Sequence, residues 1–374
     1  MAKRKTRQAR KAPGPASIKP TRSADILTNA NIAELLADAS ETARMPLQKA
    51  LRRASRRAFL WPEEAAQLIK EYRSLTEFAG VGPYLDKLIR SWINNPPDRP
   101  EPSEIREGFF TWPQAQTILA TNPAWAKSLR GDLQMHTQWS DGSGSIAEMA
   151  EAAAARGYEY IAITDHSKGL KIAGGIDERQ LQQQAAEVAA INENFKRAGK
   201  RLRVLHSIEL NLDPQGNGDM EEASLAKLDL VLGCFHSALR RKEDQTERYL
   251  AALRNPAIQI LGHPRGRIYN FRLGLKADWP RVFGLAAELD KAVEIDAYPD
   301  RQDLSIDLVK LAKKSGCRIS LGTDSHDPSQ LRVIELGLAS ALEAGVKRDR
   351  ILNFLTRDEL LTWAADVRGR HRAA

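Results

Sequence analysis

From residue 130 onward the chain alternates short apolar runs with amphipathic stretches, and this alternation restricts the fold more than any other feature. The apolar runs are "GDLQMH", "YEYIAITDH", "RLRVLHSIE", "LDLVLGCFH", "AIQILGH", "AVEIDAY" and "CRISLGTD". Between them lie helical patterns such as "SIAEMAEAAAARG" and "LSIDLVKLAKKSG". Seven strands alternating with helices predict an α/β fold with a parallel sheet or barrel. In such folds functional residues gather at the carboxyl ends of the strands.

Five of the seven histidines, His136, His166, His236, His263 and His326, stand at or just past the end of one of these runs. Acids accompany them: Asp141 and Asp165 near the first two runs, Glu209 at the end of the third, and Asp324 in "GTDSH". His206 and His371 lack this placement. Imidazole nitrogens and carboxylate oxygens hold Zn, Mn or Fe, and neither cysteine is expected to sit with the set. The ligands exceed what one ion takes, so the pattern predicts a cluster of two or three divalent ions. Gln134, two residues before His136 where a second imidazole would be expected, looks on its own like a broken metal motif, because an amide oxygen is a weaker, neutral ligand.

Clustered ions in a basic pocket suit phosphoester hydrolysis: one activates water and another stabilises the leaving oxygen. Loop cations offer partners for the phosphate: Lys168 and Lys171 in "SKGLKIAGG", and Arg265, Arg267 and Arg272 in "HPRGRIYNFR". Arg265 stands nearest a strand end and is the strongest of these.

Ahead of the barrel pattern, residues 25–94 read as a small all-α unit with breaks at Pro46 and Pro62. Within it, "FAGVGPYLDKLI" places Gly80, Val81 and Gly82 between two helices. Two glycines around one apolar residue let backbone N–H groups approach a phosphate while the valine anchors the turn. An ordinary helix corner is the alternative reading. Arg44, Lys49, Arg52, Arg53, Arg56 and Arg57 form an acid-free run nearby, as a phosphate-contacting face requires. Residues 95–129 read as a Pro-rich linker with an adapter helix at "WPQAQTILA".

The formal net charge is +8, and residues 1–24 carry eight lysines and arginines with no acid. Such a tail is expected to be disordered and drawn to polyanions, although "KRK" also fits a nuclear-import signal. Only Cys234 and Cys317 are present, too few for a disulfide framework, which points to a reducing, cytoplasmic compartment. No apolar run approaches the length of a membrane span.

The ordered set "DLQMHTQWSDG", "ITDHS", "IELNL", "GCFHS", "GHPRG" and "GTDSH" resembles the PHP family, the polymerase and histidinol phosphatase domain, over about residues 130–367. The segments "NIAELL", "LRRASRRA" and "FAGVGPYLDKLI" are in turn similar to the N-terminal domain of bacterial family-X DNA polymerases, whose C-terminal domain is of PHP type. No room remains between the two for a polymerase palm. The resemblance implies a distorted (β/α)7 PHP barrel preceded by a small helix-hairpin-helix domain. It also implies metal ligands at Gln134, His136, Asp141, His166, Glu209, His236, His263, Asp324 and His326, with Glu209 bridging two ions. The implied activity is manganese-dependent 3′–5′ exonuclease or 3′-phosphatase action on DNA ends. The alternatives are a small-molecule phosphomonoesterase such as histidinol phosphatase, or a noncatalytic DNA-binding scaffold. Whether the helical unit has lyase activity is left open.

Overall fold

The structure is a computed structural model that describes residues 26–98 and 102–370. The basic tail and His371 lie outside the described residues. A helical unit comes first, with α1 (Asn29–Thr42), α2 (Leu47–Ala58), α3 (Ala65–Lys70) and α4 (Pro83–Asn94), followed by α5 (Trp112–Ala120) and α6 (Ala124–Ser128). The barrel then runs β1 (Gly131–Asp132), α7 (Ile146–Ala155), β2 (Tyr160–Ile163), α8 (Glu178–Arg197), β3 (Arg203–Asn211), α9 (Glu222–Leu225) and β4 (Leu230–Cys234). It finishes with α10 (Thr246–Arg254), β5 (Ile260–Leu261), α11 (Trp279–Glu288), β6 (Ala292–Asp296), α12 (Ile306–Ser315), β7 (Arg318–Gly322), α13 (Ile334–Glu343) and α14 (Arg357–Arg370).

Local chemistry starts these helices where the sequence changes character. Thr28 with Asn31, Ser145 with Glu148 and Asp177 with Gln180 form reciprocal caps that satisfy the first free N–H groups. The strands between are buried on both faces, as a parallel sheet covered by helices requires. All seven pair in parallel in sequence order. A bridge between Met135 and Ser325 then joins the first strand's continuation to the last, which closes the barrel. At the amino-terminal end of the barrel, Leu360, Trp363 and Val367 of α14 pack with Leu205, Leu230, Ile260 and Ala292. Only the carboxyl rim is left open.

Residues 102–129 are more firmly held than a linker reading predicts. Gln302 brackets Phe110, accepting its N–H at 2.8 Å and donating to its carbonyl at 2.9 Å. Arg267 donates to the carbonyls of Glu107 and Gly108 and lies 3.7 Å from the Phe109 ring centroid. Ala115 and Leu119 of α5 join the layer outside the sheet. The segment's polar backbone is satisfied by barrel loops, which is why a proline-rich stretch packs here.

The helical unit is docked on the barrel through the loop between β5 and α11. Tyr269 in that loop is 1% exposed within the helical core, against Phe59 at 4.7 Å and Phe109 at 5.2 Å between centroids. Its hydroxyl lies 3.1 Å from Ser55 Oγ. Arg106 ties Glu34 and Glu41 to Asn270.

Lys291, just before β6, is fully buried, and its Nζ donates to Asn255 O at 2.6 Å. Burial pulls this ammonium down to about 7. An unfolded lysine keeps a value near ~10.4, so between those pH values the unfolded chain binds more protons and stability rises with pH. Lys291→Met is therefore expected to raise Tm near neutral pH by roughly 2–4 °C for each kcal/mol recovered. It is also expected to flatten the rise between pH 7 and 10. Calorimetry across that range checks both, and an unchanged slope in the variant would refute the assignment.

Candidate metal centre

The barrel's strand ends bring together residues that lie almost 200 positions apart in the chain. Gln134 and His136 continue β1, and Asp141 lies in the loop beyond. His166 follows β2, Glu209 lies within β3, His236 follows β4, His263 follows β5, and Asp324 and His326 follow β7. The five imidazoles form an arc in the order His326, His136, His166, His236, His263, with successive centroids 4.5, 4.3, 5.3 and 5.4 Å apart.

Glu209 is the hub of this arc. One carboxylate oxygen lies 2.8 Å from both His236 Nε2 and His263 Nε2. The other lies 3.2 Å from His136 Nε2 and 3.6 Å from His166 Nδ1, and accepts from Gln134 Nε2 at 3.0 Å. Asp324 stands 2.9 Å from His136 Nε2, and Asp141 stands 3.3 Å from His326 Nε2. Potential ligand atoms within 4.8 Å of one another form overlapping groups: His136, Asp141, His166 and His326; His166, Glu209 and His236; His136, Glu209 and Asp324. His136, His166 and Glu209 are each shared between two or more of these groups. His206 belongs to none of them; its backbone N–H donates to Asp229.

The electrostatics fit a divalent ion. Burial alone would raise the Glu209 carboxyl, yet the imidazoles around it hold it well below the usual carboxylate range. Burial would lower His136, but Asp324 and Glu209 outweigh it and raise the imidazole well above its ordinary value. A proton on His136 thus supplies positive charge between two buried carboxylates, where an ion would do the same. Burial brings His166 down to about 3, so this ring stays neutral and able to ligate. Gln134 Oε1, His136 Nδ1 and His166 Nδ1 are buried without a hydrogen-bond partner, an arrangement that is costly unless another group satisfies them. His263 and Asp324 also take left-handed backbone, at φ 21° and 50°. Non-glycine residues enter that region only at an energetic cost that the surrounding structure must hold in place.

Several side chains depart from the sequence expectations. Cys234, expected to be a core thiol apart from the metal set, places its Sγ within 4.8 Å of ligand atoms of Glu209 and His263. Its strand parity aims it inward one turn of the pleat below His236. Asp165 holds the loop after β1, accepting from Thr137 N and Oγ1 and from Gln184 Nε2 at 2.7–2.8 Å. Lys168 is held by Glu178 at 2.7 Å, and Lys171 is exposed. Arg267 is 4% exposed and its guanidinium is committed to the carbonyls of the segment before α5. Arg265 has a buried Nε without a partner, and Arg272 Nε donates to Gly266 O.

The sixth strand contributes residues that histidine counting overlooked. Arg301, in the loop after β6, lies 2.7 Å from Asp324 Oδ2 and 3.7 Å from Asp296 Oδ2. Its guanidinium pairs directly with Asp324 of the cluster, and the acids Asp324 and Asp296 outweigh burial in holding it above its ordinary value. The only available signal was position, at the end of "AVEIDAY". Beneath, Glu294 accepts the His263 N–H at 2.7 Å, and burial raises its carboxyl to about 8. Gly322 leaves room here, because a Cβ would meet Gln134 Cβ at 2.6 Å as well as Glu294 Oε1 at 2.2 Å.

In the helical unit Gly80 has φ +85°, Val81 is buried, and Gly82 precedes α4. Arg57 crosses the turn so closely that a Cβ on Gly80 would lie 2.7 Å from its Nη1. Arg52, Arg53 and Arg56 are exposed on α2. The hairpin and α2 thus share one cationic surface.

An imidazole–carboxylate arc at the open rim of a closed seven-stranded barrel marks a class of metal-dependent phosphoester hydrolases, and the chain belongs to the PHP domain family, whose model matches residues 132–322. Among curated proteins it is 36% identical over 226 residues to "DNA polymerase/3'-5' exonuclease PolX" of Bacillus subtilis (strain 168). That alignment covers 60% of this chain but 39% of the relative. A protein named "Probable phosphatase" from Thermoanaerobacter sp. (strain X514) is 28% identical over 228 residues, covering 59% of this chain and 89% of its own length. A solved histidinol phosphate phosphatase from Lactococcus lactis, complexed with zinc, L-histidinol and phosphate, superposes with TM-score 0.42 and 18% identity over 58% of this chain and 94% of that one. Among the described residues no helix is long and apolar enough to cross a membrane.

Proposed function

We propose that this chain hydrolyses phosphoesters at DNA ends, as a 3′–5′ exonuclease or 3′-phosphatase, with two or three divalent ions held by Gln134, His136, Asp141, His166, Glu209, His236, His263, Asp324 and His326. The observation that carries the reading is the docking of a cationic helical unit onto the loop that follows His263. A metabolite phosphatase has no evident use for the hairpin at Gly80, Val81 and Gly82. The relative named as a polymerase and exonuclease supports DNA as substrate, whereas the relative named as a phosphatase supports the small-phosphoester alternative.

Bound ions supply an activated water and neutralise charge on the phosphate. The chain's own groups do the rest. Glu209 and Asp324 fix the imidazoles in orientation, and Arg301 stands at the rim, where a guanidinium meets a phosphate in bidentate fashion. Ser55 of α2 meets Tyr269, whose N–H donates to the carbonyl of Asp300, the neighbour of Arg301, which ties α2 to the loop beside that rim.

The test is purified full-length protein with manganese on labelled 3′ ends, 3′-phosphorylated ends and histidinol phosphate. Turnover of histidinol phosphate alone would replace this reading with the alternative. Replacing Arg52, Arg53 and Arg56 together by alanine is expected to weaken single-strand binding and reduce its log–log salt slope by about 2, at ~0.7 per lost phosphate contact. Hydrolysis of p-nitrophenyl phosphate should not change. An unaltered salt slope would remove α2 from the DNA surface.

A further inference from the structure

Among the described residues, Phe271 is the barrel's one aromatic ring in the set of exposed large apolar side chains, at 52% exposure. It sits at the tip of a small turn in the loop after His263. Ile268 and Arg272 exchange backbone hydrogen bonds of 2.8 and 2.9 Å, and the Phe271 N–H donates to Ile268 O at 3.1 Å. Two residues earlier Tyr269 is locked into the helical core. The tip is therefore supported on both sides, and about half of the ring's surface is left to solvent.

One face of the ring does have company. Arg240, in the loop that follows His236, lies 4.4 Å from its centroid. The Phe271–Arg240 pair thus joins the loops of two ligand-bearing strands. Next to Phe271 in the chain, Arg272 is half-buried with its Nε donating to Gly266 O, and burial, then the charges of Arg301 and Arg240, hold it below its ordinary value. Arg301 in turn touches Asp324. A guanidinium thus stands at the metal centre, Arg301 on Asp324, and another against the exposed ring, Arg240 on Phe271, an arrangement suited to a phosphate at one end and a base at the other.

We propose that Phe271, backed by Arg240, is a stacking platform for a nucleobase of the strand whose phosphate lies at the metal centre. The substrate class is then a single-stranded or frayed nucleic-acid end rather than a bare phosphate ester. This rests on the DNA-end reading and names how that site selects its substrate. Base stacking on an aromatic side chain contributes ~1–3 kcal/mol, or roughly 5- to 150-fold in binding.

The experiment compares wild type, Phe271→Ala and Phe271→Trp, as full-length protein with manganese, on three substrates. These are a 5′-labelled single-stranded oligonucleotide, the same strand with abasic terminal nucleotides, and p-nitrophenyl phosphate. Phe271→Ala should raise KM about tenfold on the base-bearing strand, within the range for one lost stack, with Phe271→Trp restoring it. Abasic and p-nitrophenyl substrates should show no difference. Equal KM values for wild type and Phe271→Ala on the base-bearing strand would overturn the platform while leaving the DNA-end reading intact. Wild type that turns over p-nitrophenyl phosphate and no oligonucleotide would overturn both.

Discussion

Glu209→Gln is expected to abolish hydrolysis to within measurement, a loss of about 10³-fold or more, corresponding to ~4 kcal/mol of stabilisation that bound ions supply. The carboxylate meets His236 and His263 on one oxygen and faces His136 and His166 with the other. An amide offers one neutral oxygen and an N–H that opposes a cation, so it cannot serve both sides. Bound metal, measured by inductively coupled plasma mass spectrometry after gel filtration, should fall by at least one ion per chain. Circular dichroism separates this from unfolding. Full metal content in Glu209→Gln would show that Glu209 is no bridge.

The second large effect concerns Arg301. With Arg301→Gln, Asp324 keeps His136 at 2.9 Å but loses its guanidinium at 2.7 Å. Breaking a buried ion pair costs ~3–5 kcal/mol; here about 2 is expected, because the guanidinium side chain is 31% exposed. At roughly 2–4 °C per kcal/mol, Tm in chelator should fall by several degrees. Divalent metal should then raise Tm more in the variant than in wild type, since an ion supplies the positive charge that Asp324 has lost. Hydrolysis should drop about 10²-fold with the loss of a donor to the phosphate. Equal metal-induced shifts in the two proteins would show that Arg301 and the ion act on different groups.

Much of the architecture was readable because periodicity is local. Each of the seven apolar runs became a strand, since alternation of short buried runs with capped amphipathic stretches leaves a parallel barrel few alternatives. Five histidines at equivalent strand ends identified one face of that barrel. What escaped was set by contacts between distant residues. Cys234 looked like any other core residue, because its inward direction depends on barrel closure. Arg301 follows the one apolar run whose end carries neither a histidine nor one of the acids singled out. Lys168 and Arg267 looked available, yet each found a partner, Glu178 and the Glu107 and Gly108 carbonyls respectively, that only the fold brings near. The docking of Tyr269 near Ser55 joins residues 214 positions apart, which no windowed reading captures.

That docking changes what the two halves amount to together. Had the helical unit hung on a flexible tether, its help to the barrel would be an effective concentration, declining gradually as substrates shorten. Seated through Tyr269 and Arg106, the hairpin instead stands at a set offset from the arc of imidazoles. If the proposed action on DNA ends holds, the molecule would work as a ruler: strands long enough to reach both stations would gain the full benefit, those one or two nucleotides too short would gain none, and processive trimming would stall at a defined remnant length.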